Sequence, residues 1–122
     1  MIGEVKLGRF ASDIGSNRIE GCATGSAVSV IVVDIPPGEG PALHRHPYAE
    51  TLVVLEGRAL LQTDEQEIEV AAGTLVAIPA HVVHGFKNLG PGRLRQVDIH
   101  ASDRFITDWV NPRWTADREP RG

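Results

Sequence analysis

Residues 38–57 read GEGPALHRHPYAETLVVLEG, and residues 73–88 read GTLVAIPAHVVHGFKN. The first block spaces Gly38, His44, His46, Glu50 and Gly57; the second spaces Gly73, Pro79, His81, His84 and Asn88. His44 and His46 are two apart, so on a strand both side chains leave the same face. Glu50 has the same parity, yet a straight strand would carry it roughly 13 Å beyond His46. Pro47 sits where a bend is needed, and the bend lets Glu50 begin the following strand beside the histidine pair. His84 lies far along the chain. It reaches the others only if the sheet closes over, as in a small barrel open at one end.

Three imidazoles and one carboxylate make a metal site the leading reading. Two histidines and a carboxylate suit non-haem Fe(II), and a third nitrogen also fits Mn, Co, Ni, Cu or Zn. The expected cofactor is one divalent transition metal per chain (Fe, Mn, Ni, Cu or Zn). On an octahedral ion, four protein ligands leave two positions for water, substrate or dioxygen, which suits Lewis-acid or redox chemistry. The bland alternative is a set of unrelated loop histidines. The H-x-H pair alone is a weak signal; Glu50, His84 and the Gly and Pro spacings decide for metal.

The flanks read as β. Residues 27–35 (AVSVIVVDI) are dense in β-branched residues and predict a well-buried strand. The prolines and glycines of 36–41 end it. Further strands are predicted at 49–55, 74–78, 82–87 and 94–101, with a hairpin of 58–63 and 66–71. Residues 5–10 suggest a short strand, and 12–25 read as loop. Short strands with turn signals between them predict an all-β sandwich or barrel. One short C-terminal helix is predicted over 103–110, ended by Asn111-Pro112.

The two blocks resemble the two motifs of the cupin superfamily. Gly38, His44, His46, Glu50 and Gly57 fit G-x5-H-x-H-x3,4-E-x6-G at every defined position. Gly73, Pro79, His84 and Asn88 fit G-x5-P-x-G-x2-H-x3-N, with His81 where the pattern has glycine. The resemblance implies a double-stranded β-helix, or jelly-roll barrel, with His44, His46, Glu50 and His84 as metal ligands. It implies a single cupin domain over 1–122 and a homodimer. It leaves the reaction open, because the superfamily hosts dioxygenases, isomerases, decarboxylases, sugar-binding regulators and storage proteins.

Other residues extend the site. In the strand 94–101, Leu94, Gln96, Asp98 and His100 share one face. Facing inward, Gln96 and Asp98 would meet a substrate and His100 would be a general base; facing outward, they are a solvated strand face. His81 is an acid/base candidate at the mouth, or a solvated rim histidine. Phe86 shares the parity of His84 and is expected as an apolar wall, and Tyr48 is expected at the pocket mouth. Trp109 and Trp114 suggest either a helix packed on the barrel or a lid over it.

Composition narrows the classes. The chain has 122 residues, a formal net charge of −4 and 42% hydrophobic residues, ordinary for one globular domain. Nothing in that charge favours nucleic acid or an anionic membrane. No run is apolar and long enough for a transmembrane helix, and the N-terminal residues lack a secretory pattern. Cys22 is the only cysteine, which excludes an internal disulfide and suggests a reducing compartment, the cytoplasm. The functional expectation is a small metal-dependent enzyme, of dioxygenase or related oxidoreductase type, acting on a chelating small molecule. The alternatives are a redox-neutral isomerase or lyase and a non-catalytic metal-dependent binding or sensing module.

Overall fold

Alternation of apolar and polar residues along β-branched runs gives each strand one face to bury, and two sheets bury those faces against each other. The computed structural model describes residues 2–7 and 16–110. Its strands are β1 (Ser16–Ile19), β2 (Ser29–Ile35), β3 (His44–Arg45), β4 (Glu50–Glu56), β5 (Arg58–Thr63), β6 (Glu67–Ala71), β7 (Thr74–Ile78), β8 (His84–Asn88), β9 (Leu94–His100) and β10 (Asp108–Trp109). They form two five-stranded antiparallel sheets, ordered β1-β2-β9-β4-β7 and β10-β3-β8-β5-β6. Val33, Ile35, Leu52, Val54 and Leu94 from the first sheet meet Ala59, Leu61, Val70 and Phe86 from the second. The all-β double-stranded fold expected from the sequence is the fold observed.

Register in the first sheet decides which polar groups enter the interior. Leu94, Gln96, Asp98 and His100 are the buried positions of β9, and Arg95, Val97 and Ile99 face outward. The inward register is therefore the observed one. Gly57 and Gly73, each in a turn after a strand, have φ of +87° and +88°. That backbone region is open to glycine and rarely to other residues, which accounts for glycine at these two positions of the blocks.

Two elements differ from expectation. Residues 16–19, expected as loop, form the edge strand β1, whose only apolar side chain is the partly buried Ile19; pairing with β2 supplies the order that composition did not announce. Residues 103–110 are not helical. Their backbone donors are taken by the barrel rim instead of by carbonyls one turn back: Phe105 N–H by the Glu20 carboxylate (3.0 Å), Ile106 N–H by the Tyr48 hydroxyl (3.2 Å) and Val110 N–H by the Leu43 carbonyl (3.1 Å). The segment ends in β10, which pairs Asp108 with Arg45 and Trp109 with His44. Residues 2–7 hold no strand, and 8–10 and Trp114 lie outside the described residues.

Candidate metal centre

Each sheet contributes a facing pair. His44 on β3 lies opposite His84 on β8, and Glu50 on β4 lies opposite His100 on β9. The chain leaves the second sheet after His46, turns at Pro47, and enters the first sheet at Glu50. His44, His46, Glu50 and His84 are all buried, and their candidate ligand atoms lie within 4.8 Å of one another. Glu50 Oε1 is 3.1 Å from Nε2 of His46 and 3.0 Å from Nε2 of His84.

The outer ring nitrogens settle the tautomers. Nδ1 of His44, His46 and His84 lies 2.6, 2.8 and 2.8 Å from the carbonyl oxygens of Ala42, Ile106 and Val82. A carbonyl only accepts, so each Nδ1 carries a proton, and in its neutral form each ring turns the lone pair of Nε2 inward. Three lone pairs then converge on a carboxylate. Such an arrangement is repulsive unless a cation sits among them, and Nε2 of His46 is buried with no aligned hydrogen-bond partner. The donor set fits a divalent transition metal, with the backbone carbonyls orienting the imidazoles as outer partners of metal-bound histidines do.

Local electrostatics act on these donors in different directions. Burial, reinforced by the nearby His84 and His46, lowers the His44 pKa to about 4 against the pull of the Ala42 carbonyl, so the ring is neutral at pH 7. Burial would lower His46 too, but the Glu50 carboxylate and the Ile106 carbonyl outweigh it and raise its pKa. Burial would raise Glu50, yet its contacts with His100, His46 and His84 hold it well below the usual carboxylate range. Glu50 is an anion throughout the physiological range.

His100 is arranged differently. Its Nδ1 lies 2.7 Å from the Tyr48 hydroxyl, which also accepts Ile106 N–H. With the phenolic proton on the His100 side, Nε2–H faces Glu50 Oε2 at 3.4 Å. Tyr48 stacks on His46 (centroids 5.0 Å, 9° between planes), and burial raises its pKa. Phe105 closes edge-on against His100, and Trp109 lies against His44, each at 5.0 Å. A cavity of about 250 Å³ opens beside the cluster, lined by His44, His46, Glu50 and His100, by apolar Ile31, Val33, Ile35 and Phe86, and by Asp98, Arg18, Thr107 and Trp109 among others.

The family model for the cupin domain matches residues 31–100, more than half of the chain. The protein is a cupin. Among curated proteins it is 35% identical over 57 residues to an uncharacterised protein of Methanocaldococcus jannaschii, a match covering 46% of each chain. It is 36% identical over 59 residues to quercetin 2,3-dioxygenase of Bacillus subtilis, covering 48% of this chain and 18% of that one. In each case the matched stretch is less than half of the relative's length. Among solved structures, an oxalate oxidase in complex with glycolate superposes with a TM-score of 0.71 at 23% identity, over 86% of this chain and 60% of that one. Oxalate decarboxylase of Bacillus subtilis superposes with a TM-score of 0.74 at 18% identity, over 90% of this chain and 31% of that one. At these identities the two structures speak for the fold.

The remaining polar groups of this cupin fall into distinct places. Asp98 is buried on the cavity wall, and its Oδ1 accepts the Gln96 amide at 2.7 Å. Burial and the neighbouring Glu50 charge push the Asp98 carboxyl well above its ordinary pKa, which favours its uncharged form. Gln96 sits behind Asp98, off the cavity, with Oε1 buried and without a hydrogen-bond partner. His81 is exposed and lines no part of the cavity. Its φ of +71° explains why the motif has glycine there; its N–H donates to the His46 carbonyl at 2.7 Å. Sequence reasoning missed Arg18, which lies in the unannounced strand β1, and the Ile106 carbonyl, since no pattern marks a backbone acceptor.

Proposed function

We propose that this cupin binds one divalent transition metal through His44, His46, Glu50 and His84 and is a small dioxygenase-like oxidoreductase acting on a chelating small molecule. The observation that carries the reading is the convergence of three Nε2 lone pairs on the Glu50 carboxylate at the end of a partly apolar cavity. A redox-active ion held there supplies open coordination positions and one-electron chemistry. The chain's residues do the rest. Ile31, Val33, Ile35 and Phe86 exclude water, His100 is placed to move a proton at Nε2, and Tyr48 holds its Nδ1. The matched stretch of quercetin 2,3-dioxygenase, a protein named for an oxygen-dependent reaction, supports the oxidoreductase class.

A second reading has one observation in its favour. Asp98 and His100 project from the same face of β9 into the cavity, one a carboxyl whose uncharged form burial favours and the other an imidazole. Two proton-carrying groups so placed suit redox-neutral isomerase or lyase chemistry, with the metal as Lewis acid. Elemental analysis of untagged protein, followed by oxygen-uptake screens with hydroxy acids, keto acids and catechol-like diols, separates the readings. Fe, Mn, Cu or Ni near one per chain with substrate-dependent oxygen uptake is the expected result. Turnover without oxygen uptake favours the second reading, and metal-dependent ligand binding without turnover favours a sensing module. Protein that neither holds nor takes up metal refutes the proposal.

The proposal includes a homodimer formed through the outer face of the first sheet. Val32, Val97, Val53 and Leu75 follow one another across four strands there, with Val30, Ile99, Thr51 and Ala77 in the adjacent row. Leu75 is 61% exposed, an unusual position for leucine in a monomer. Sedimentation of wild type as a dimer and of Leu75→Glu with a shift towards monomer is expected. A monomeric wild type removes this part. Cys22 is an exposed free thiol, and on that basis we assign the protein to the cytoplasm. Among the described residues, no helix is long and apolar enough to cross a membrane.

A further inference from the structure

In the first sheet, Arg18, Ile31, Asp98 and Leu52 lie in one register row, next to the row that carries His100 and Glu50. Two such rows are about 7 Å apart along the strands. Arg18, Ile31 and Asp98 all line the cavity, and among the described residues Arg18 is the only lysine or arginine that does so. Its guanidinium lies over the Phe105 ring, 4.7 Å from the centroid. Stacking of this kind orients the guanidinium plane and leaves its N–H edges for a planar anion. Among the described residues, no carboxylate lies within ion-pair distance of Arg18. Asp98, across Ile31, is 2% exposed and meets no cation among the described residues. One of its oxygens is occupied by Gln96. Glu39, the other carboxylate on the lining besides Glu50, is exposed.

We propose that Arg18 and Asp98 form an anion subsite over Ile31, so that the ligand of this cupin is a carboxylic acid. Its carboxylate takes the Arg18 N–H groups on one side and the Asp98 acid proton on the other. A second oxygen function, about one strand row away, faces His44, His46, Glu50 and His84. Ile31, Val33 and Phe86 cover the carbon skeleton between them. The assignment of the far end rests on the metal reading above; the subsite itself does not. Arg18 is on this view a specificity residue and not a catalytic one.

The test uses the full chain stripped of metal by chelator, with two probes that lack a chelating group: 3-phenylpropanoate and its neutral amide, 3-phenylpropanamide. Binding is followed by saturation-transfer NMR and by tryptophan fluorescence. Arg18 is exposed, so wild type is expected to bind the acid a few-fold tighter than the amide, the worth of a solvent-screened charge pair. Arg18→Gln is expected to erase that preference by weakening acid binding more than amide binding. Asp98→Asn, which keeps an uncharged donor at the same place, is expected to preserve it. Three results overturn the proposal: absence of acid preference in wild type, including absence of binding; acid binding unaffected by Arg18→Gln; or a large gain in acid affinity on Asp98→Asn, which would mean the native carboxyl is ionised. Metal uptake is measured on the same Arg18→Gln protein. Normal uptake with lost acid preference supports the subsite, and failed uptake in wild type strikes the metal reading alone.

Discussion

Replacing Asn88 by alanine should destabilise the fold without touching the metal ligands. Asn88 is 1% exposed, and its side chain joins three separate pieces of backbone. Nδ2 donates to the carbonyls of Ile35 (3.0 Å) and Gly92 (2.9 Å), and Oδ1 accepts Gly90 N–H (2.7 Å). Alanine leaves two carbonyls and one N–H without their partners in a place with little room for water. At about 1 kcal/mol for each net hydrogen bond, the loss is about 3 kcal/mol, and about 5 kcal/mol if the orphaned groups stay dry. Against a total stability of about 5–15 kcal/mol, that is a large fraction. Urea unfolding of the metal-free protein should show it as a midpoint lowered by about 2 M for a slope near 1.5 kcal/mol/M. Metal stoichiometry of the folded variant should stay at the wild-type value. A loss below about 1 kcal/mol would refute the reasoning, because it would mean the three backbone groups find other partners at no cost.

Two further outcomes are expected. His84→Ala removes a nitrogen 3.0 Å from Glu50 and should weaken metal retention at least about 100-fold in chelator competition, more than loss of an outer partner of a ligand costs. The circular dichroism should keep its β-rich form, and undiminished stoichiometry and affinity would end the four-ligand assignment. Asp98→Asn should alter the pH dependence of stability. Burial raises the folded pKa of Asp98, so the folded chain keeps a proton that the unfolded chain releases above pH about 4. That contribution is fully present below the unfolded pKa and is lost as pH rises towards the folded one. The asparagine variant should therefore match wild type near pH 4 and gain on it at higher pH, by at most about 1.4 kcal/mol per pH unit. Parallel urea-stability profiles at pH 4, 6 and 8 would show that Asp98 is not held as an acid.

The parts of the molecule that follow a short-range rule were legible in the sequence. β5 and β7 lie where the flanking glycine turns place them, and the bend at Pro47 carries Glu50 from the side of His46 into a different sheet. The convergence of His44 and His84 followed from barrel closure. What was hidden depends on partners distant in sequence. β1 has the composition of a loop and is ordered by β2. The segment before Val110 has helix-like apolar spacing, but Glu20, Tyr48 and Leu43 capture its backbone donors. Arg18 enters the cavity only because β1 aligns it with Ile31. The direction of β9 was undecided between two faces, since its alternation is equally regular in either register; burial of Gln96, Asp98 and His100 settles it.

The placement of one facing pair in each sheet has a consequence for the whole barrel. His44 and His84 belong to one sheet, Glu50 to the other, and His46 to the link between them. An ion shared by these four groups would be a clasp between two leaves that otherwise meet at that end through the Glu50–His84 contact, the strap and apolar packing. Without the ion, the mouth would be held by fewer links, chiefly the strap from Phe105 to Trp109. Loading the ion would then do more than equip the cavity: by binding the closed form only, it would draw the mouth shut in proportion to its concentration over its dissociation constant. Amide exchange in β3 and in the first residues of β4 would report that closing before any substrate is known.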